Sequence, residues 1–282
     1  MIRVHLLGRF TIFTPAGEVV LPTAKVRLLS AYLFWQQGRW MRRALLRDML
    51  WGEVDEERAA GNLRTALYLL RRAFDAGGVP ERLLQIRRDT VRVPDGPGCR
   101  VDVREFEKKV WAGLHKDVRE VEPLMAAASL YRGDFLEDLD AEWCLPERRR
   151  LADLHLAVLR TLVDRLAALG LYEGAVSYAS RWLAVDPLDE AAHQALMRLY
   201  HAVGQPALVV EQYEQCRQML EKELGISPGD ATVRLLQELA PTADKGAAAC
   251  PRKKVPGRGR RGLRSPSAGQ SPDSFFTVKN FS

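Results

Sequence analysis

The chain has 282 residues, 47% hydrophobic and 28% charged, the composition of a globular protein long enough for two domains with separate cores. No apolar run approaches the roughly 18 residues of a membrane helix, and the opening MIRVHLLGRF lacks the apolar block and cleavage site of a secretory signal, so a cytoplasmic protein with no membrane partner is expected. The formal charge of +6 is unevenly spread: residues 1–98 carry +6, residues 99–240 carry −7 and residues 241–282 carry +7. A basic front suits a polyanionic partner, and an acidic middle does not. Cys99, Cys144, Cys216 and Cys250 are far apart, with no CxxC or Cys/His cluster, so neither a metal nor a redox site is expected.

Taken in chain order, RVHLLG, FTIFT and EVVL, with a turn at Pro15-Ala16-Gly17, read as short antiparallel strands. From Lys25 the pattern becomes helical and nearly apolar all round, which predicts a buried helix ended by Gly38. Arg42 to Trp51 reads as a second helix, with Leu45, Leu46, Met49 and Leu50 inward and Arg42, Arg43 and Arg47 outward. GEVDEERAA follows as a polar connection, and NLRTALYLLRRAF, Asn62 to Phe74, as a third helix. Leu63, Leu67, Leu70 and Phe74 form its apolar stripe, and Arg64, Thr65, Tyr68 and Arg72 lie on the opposite side. DAGGVP breaks that helix, and RLLQIRRDTVRVP reads as a hairpin turning at Arg88-Asp89.

Strands, three helices and a hairpin make the layout of a winged helix-turn-helix, in which the third helix enters the major groove and the wing meets the backbone. Arg64, Thr65, Tyr68 and Arg72 would then face bases. Arg42, Arg43, Arg47, Arg71, Arg87 and Arg88 would face phosphates.

Beyond the linker DGPGC, Asp95 to Cys99, nearly everything reads as helix separated by short turns. Leu169-Gly170-Leu171-Tyr172 and Val203-Gly204-Gln205-Pro206 stand 34 residues apart, the period of tetratricopeptide (TPR) helix pairs. Ala175 and Val209 hold corresponding packing positions, and Pro187 follows the end of a helix. Stacked pairs make concave protein-binding surfaces, which an acidic balance fits. Residues 241–282 lose periodicity and read as a basic disordered tail whose PGRGRRG could act as a minor-groove arm or only as solvated chain. The expected fold is mainly α with a small β component: a winged helix over 1–95, a TPR-like helical domain over 100–240 and the tail.

Over about residues 1–240 the chain resembles the antibiotic-regulatory-protein (SARP) type of bacterial transcriptional activator. LLGRFTI, KVRLLSAYL, LLRDMLWGE and LRTALYLLRRAF are similar to an OmpR-type winged helix. VDVREF, LYRGDFLEDLDAEWCLPERRRL, DPLDEAAHQALMRLY and YEQCRQMLEKELGISPG are similar to the bacterial transcriptional activator domain. The resemblance implies an activator that binds direct repeats in promoter double-stranded DNA, often as side-by-side copies, and recruits RNA polymerase. It places Arg64, Thr65, Tyr68 and Arg72 in the recognition helix and Arg87 and Arg88 in a wing that lacks the Gly-Tyr common in OmpR-type proteins. No GxxxxGK[ST] occurs, so nucleotide hydrolysis is not expected.

Two other functions fit less well. A TPR-like adaptor or ligand sensor, with a winged helix that docks protein, has no need of arginines on two helices and a wing. An enzyme would need a phosphate cradle, HExxH, GxSxG or a metal-spaced cluster, none of which appears. His5, His115, His155, His193 and His201 are dispersed, and DLDAEW reads as a solvated acidic turn. Neither catalytic residues nor a cofactor are expected.

Overall fold

The structure is a computed structural model that describes residues 1–240; the basic tail expected over 241–282 lies outside them. The N-terminal strands are β1 (Ile2–His5), β2 (Thr11–Thr14) and β3 (Gly17–Glu18), joined antiparallel, with Thr14 opposite Gly17 at the turn. The last of them is shorter than EVVL suggests, since its register with β2 covers only Gly17 and Glu18.

Three helices follow: α1 (Ala24–Trp35), α2 (Arg43–Trp51) and α3 (Glu56–Ala76). Thr23 caps α1 through the Val26 N–H, and burial of Val26, Leu29, Ala31, Leu33 and Phe34 makes it the central helix of this half. It stops at Trp35, three residues before Gly38. Arg42 is not helical: with Met41 it forms β4 (Met41–Arg42), ahead of α2. Leu46 and Leu50 of α2 are buried, but Leu45 is 45% exposed instead of facing inward, since the short helix turns only one narrow stripe to the core.

The expected polar connection is itself helical from Glu56. Asp55 accepts the Arg58 N–H at 2.9 Å, and Glu56 and Glu57 sit in the first turn, where the helix dipole favours carboxylates. A 3-10 turn (Glu81–Leu83) replaces the start of the expected hairpin, which forms as β5 (Gln85–Ile86) and β6 (Thr90–Arg92), with β4 on the far side of β6.

The linker ends in an unexpected strand, β7 (Cys99–Val101), which pairs parallel with β1 as the edge of a four-stranded sheet ordered β3-β2-β1-β7. Then come α4 (Asp102–Leu114), α5 (Glu122–Leu130), α6 (Cys144–Ala168), α7 (Tyr172–Val185), α8 (Glu190–Ala202), α9 (Pro206–Leu224) and α10 (Asp230–Leu239). The 34-residue repeat is structural. Gly170 and Gly204 have φ of +74° and +75°, and the N–H groups of Leu171 and Gln205 donate back to Leu166 and Tyr200 at 2.9 and 2.8 Å. Those equivalent helix stops let α7 and α9 fold back, with Ala175 and Val209 fully buried in the resulting contacts.

One apolar core runs from Ile2 through α3 and on to Leu199, and a smaller cluster of Met197, Val209, Leu235 and Ala240 lies under α10. The acidic turn has Asp138, Asp140 and Glu142 exposed, as expected, while Leu139 is buried in this core and the turn joins the two halves. Asp138 accepts the Phe10 N–H at 2.8 Å and pairs with the Arg27 guanidinium, while Leu136 N–H donates to Leu6 carbonyl at 2.8 Å.

Candidate nucleic-acid interface

The face begins with the burial of one side of α3. Leu63, Leu67, Leu70 and Phe74 are each at most 3% exposed, and Phe34 of α1 meets Phe74 with ring centroids 6.0 Å apart. Anchoring this stripe turns Arg64, Thr65, Tyr68, Arg71 and Arg72 outward. Tyr68 is 59% exposed, far more than a tyrosine with a packing role, and the Arg72 guanidinium lies 6.0 Å from its ring. Arg71 reaches Glu81 at 3.8 Å, a surface pair that holds it toward the hairpin side of the helix.

Beside the first turns of α3 stand α2, β4 and the wing. The Arg43 backbone N–H donates to the Asp89 carbonyl at 2.9 Å and its Nη1 to the Arg88 carbonyl at 3.3 Å, so the wing tip is tied to the start of α2. Arg42 pairs in register with Thr90. Arg47 bonds Glu56 at 3.0 Å through Nη2, while its buried Nε has no partner. Arg42, Arg43, Arg47, Arg64, Arg88 and Asp89 line a cleft of about 420 Å³ between these elements.

The Arg87 N–H closes the wing turn by donating to the Thr90 carbonyl at 2.8 Å. Its guanidinium lies 4.0 Å from the centroid of the half-buried Trp40 ring, and that of Arg92 lies 4.3 Å from it. Sequence reading missed Trp40; the signal available was a tryptophan beside Met41-Arg42-Arg43, too short a run to predict an edge strand. Of the ten expected site residues, Arg42, Arg43, Arg47, Arg64 and Arg88 line the cleft, Thr65, Tyr68 and Arg72 lie exposed along α3, and Arg71 and Arg87 line a second, shallow groove with Trp40.

The large pKa displacements lie elsewhere. Burial pushes the Asp102 carboxyl up to about 6 and the His155 imidazole down to about 4, and the thiols of Cys99, Cys144 and Cys216 up to about 11. These groups are spread through the core. Among the described residues no group of three or more His, Cys, Asp or Glu side chains is placed to hold a metal ion, and no helix is long and apolar enough to cross a membrane.

Residues 101–240 match the family described as the Bacterial transcriptional activator domain. The chain is 27% identical over 246 residues to the regulatory protein AfsR of Streptomyces coelicolor, covering 84% of this chain and 24% of that one. It is 28% identical over 236 residues to the transcriptional regulator RedD of the same organism, covering 81% of this chain and 67% of RedD. With the regulatory protein DnrI of Streptomyces peucetius it shares 25% identity over 86% of this chain and 93% of that one. The chain thus spans about a quarter of AfsR and most of DnrI. A solved structure of Mycobacterium tuberculosis EmbR, in complex with a low-affinity phosphopeptide, shares the fold with a TM-score of 0.67 at 21% identity, over 84% of this chain and 64% of that one.

Proposed function

As the chain belongs to the SARP-type bacterial transcriptional activators, we propose that its front, residues 1–95, binds promoter double-stranded DNA at direct repeats while residues 100–240 hold protein partners, RNA polymerase among them. One observation carries this reading: Arg64 of α3 shares a cleft with arginines from β4, α2 and the wing. Major-groove readout needs a polar helix face held at a fixed angle, and backbone contacts need cations beside it.

In this assignment Arg64, Thr65, Tyr68 and Arg72 read base edges. Arg42, Arg43, Arg47, Arg71, Arg87 and Arg88 neutralise phosphates. The protein acts in the cytoplasm, as side-by-side copies on adjacent repeats, and carries out no reaction of its own.

Selection of bound sequences from random DNA tests the assignment, followed by titration on the selected and a scrambled site at several salt concentrations. A direct repeat should emerge, and log affinity should fall with log salt by about 0.9 for each phosphate neutralised. The Arg72→Ala variant should lose about tenfold on the selected site, or its preference for that site, with an unchanged melting temperature. A flat salt response, or selection that returns no motif, overturns the reading.

A further inference from the structure

The cleft between the wing and the two helices carries more positive charge than a single backbone phosphate can balance. Five arginines line it, Arg42, Arg43, Arg47, Arg64 and Arg88, and Asp89 is the one acidic residue among its lining residues. Glu56 reaches in from outside to pair with Arg47. Five cations against these two carboxylates leave three positive charges. Among the described residues Arg42, Arg64 and Arg88 form no salt bridge, and the side chain of Arg43 is spent on a carbonyl.

Like charges gathered in a space of about 420 Å³ repel, the more so where protein walls displace water. Arg47 is held among them: its side chain is 22% exposed and its Nη2 lies 3.0 Å from Glu56.

We propose that this cleft is a binding site for a diphosphate group, as carried by a small phosphorylated molecule, and that its occupant excludes DNA from the front half. The phosphodiesters of a DNA backbone carry one negative charge each, spread along the strand, whereas a diphosphate concentrates in one group enough to balance all three, on oxygens that match the guanidinium fork. The exclusion rests on the DNA-binding reading above; the anion site does not.

The probe is inorganic pyrophosphate, titrated into the full chain at constant ionic strength, with sodium chloride and orthophosphate as controls, and followed by calorimetry and by thermal shift. One pyrophosphate should bind per chain, at least tenfold more tightly than orthophosphate. Arg47→Gln and Arg88→Gln should each weaken it by fivefold or more. Arg72→Gln, on the same face but outside the cleft, should not. Because Arg88 makes no side-chain bond in the fold, its variant keeps the test valid if Arg47→Gln unfolds.

Pyrophosphate should also displace a selected DNA site more effectively than sodium chloride of equal ionic strength. Binding no tighter than orthophosphate, or equal losses in the cleft variants and Arg72→Gln, overturns the site. DNA binding that persists with pyrophosphate bound overturns the exclusion. If DNA binds and pyrophosphate does not, the DNA reading stands and this one falls; the reverse result separates them the other way.

Discussion

His155 on α6 stacks on Tyr131 with ring centroids 4.1 Å apart, and its buried Nδ1 has no partner. Burial, helped by Arg181, lowers its pKa to about 4 from an ordinary 6.5. The unfolded chain therefore binds a proton between those values that the folded chain does not, and the contribution is lost as pH falls from 6.5 towards 4. Asp102 works in the opposite direction. Its carboxylate accepts N–H bonds from Leu6 at 2.8 Å, Leu7 at 3.1 Å and Val103 at 2.8 Å, yet burial outweighs them and raises its pKa to about 6 from 3.8. There the folded state holds the proton more tightly, so its contribution falls as pH rises through the same range. Each contribution is on the order of 3 kcal/mol, and they nearly cancel in the parent. Urea unfolding between pH 4 and 6.5 should expose them separately. His155→Phe should become less stable as pH rises, and Asp102→Asn more stable, whatever their absolute stabilities. Parallel pH profiles for the two variants and the parent would refute both assignments.

At the level of elements, the sequence shows those whose signal is local. The α3 stripe was legible because Leu63, Leu67, Leu70 and Phe74 repeat at helical spacing, and burying them decides which arginines face out. The start of α3 was hidden because Glu56 to Ala60 has no stripe; its signals were the Asp55 cap and the acidic first turn of Glu56 and Glu57. Strands β4 and β7 were hidden for a different reason. Two or three residues do not make a strand until Val91 or Ile2 is beside them, and those partners are distant in sequence. The repeat glycines were legible as punctuation, and the structure gives the physical reason. Gly204→Ala should cost about 1 kcal/mol, because an L side chain is strained at φ +75° even though no atom lies within 4 Å of the added Cβ. Gly61, inside α3 with equally open surroundings and an ordinary helical backbone, should respond with the opposite sign. Gly61→Ala should stabilise the free protein by about 0.5–1 kcal/mol. Denaturant midpoints of the two variants check the contrast, and shifts of the same sign would contradict it.

For the molecule as a whole, the composition change at Asp95 to Cys99 suggests two domains, whereas the contacts describe halves that depend on each other. Trp143 stacks on Trp35 at 5.3 Å and meets Tyr32 edge-on at 5.1 Å, so an aromatic cluster from both sides of the linker fills the joint. Phe135 is fully buried there and bridges to Leu7, β7 completes the sheet begun by β1, and Asp138 and Asp102 accept N–H groups of the front half. No local pattern encodes such a joint, because every bond in it links residues about a hundred positions apart. Aromatic pairs contribute about 0.5–1.5 kcal/mol each beyond their burial, and a buried acceptor removed from its donors costs about 1–3 kcal/mol. Neither half can shed that interface without exposing a large part of its core. Residues 1–240 should therefore unfold in a single calorimetric transition. Asp138→Ala, which strips the Phe10 N–H and Arg27 of their acceptor, should lower that transition and, combined with Trp143→Ala, split it in two. If the activator-domain fragment 100–240 melts alone at the temperature it shows in the full chain, the halves are independent.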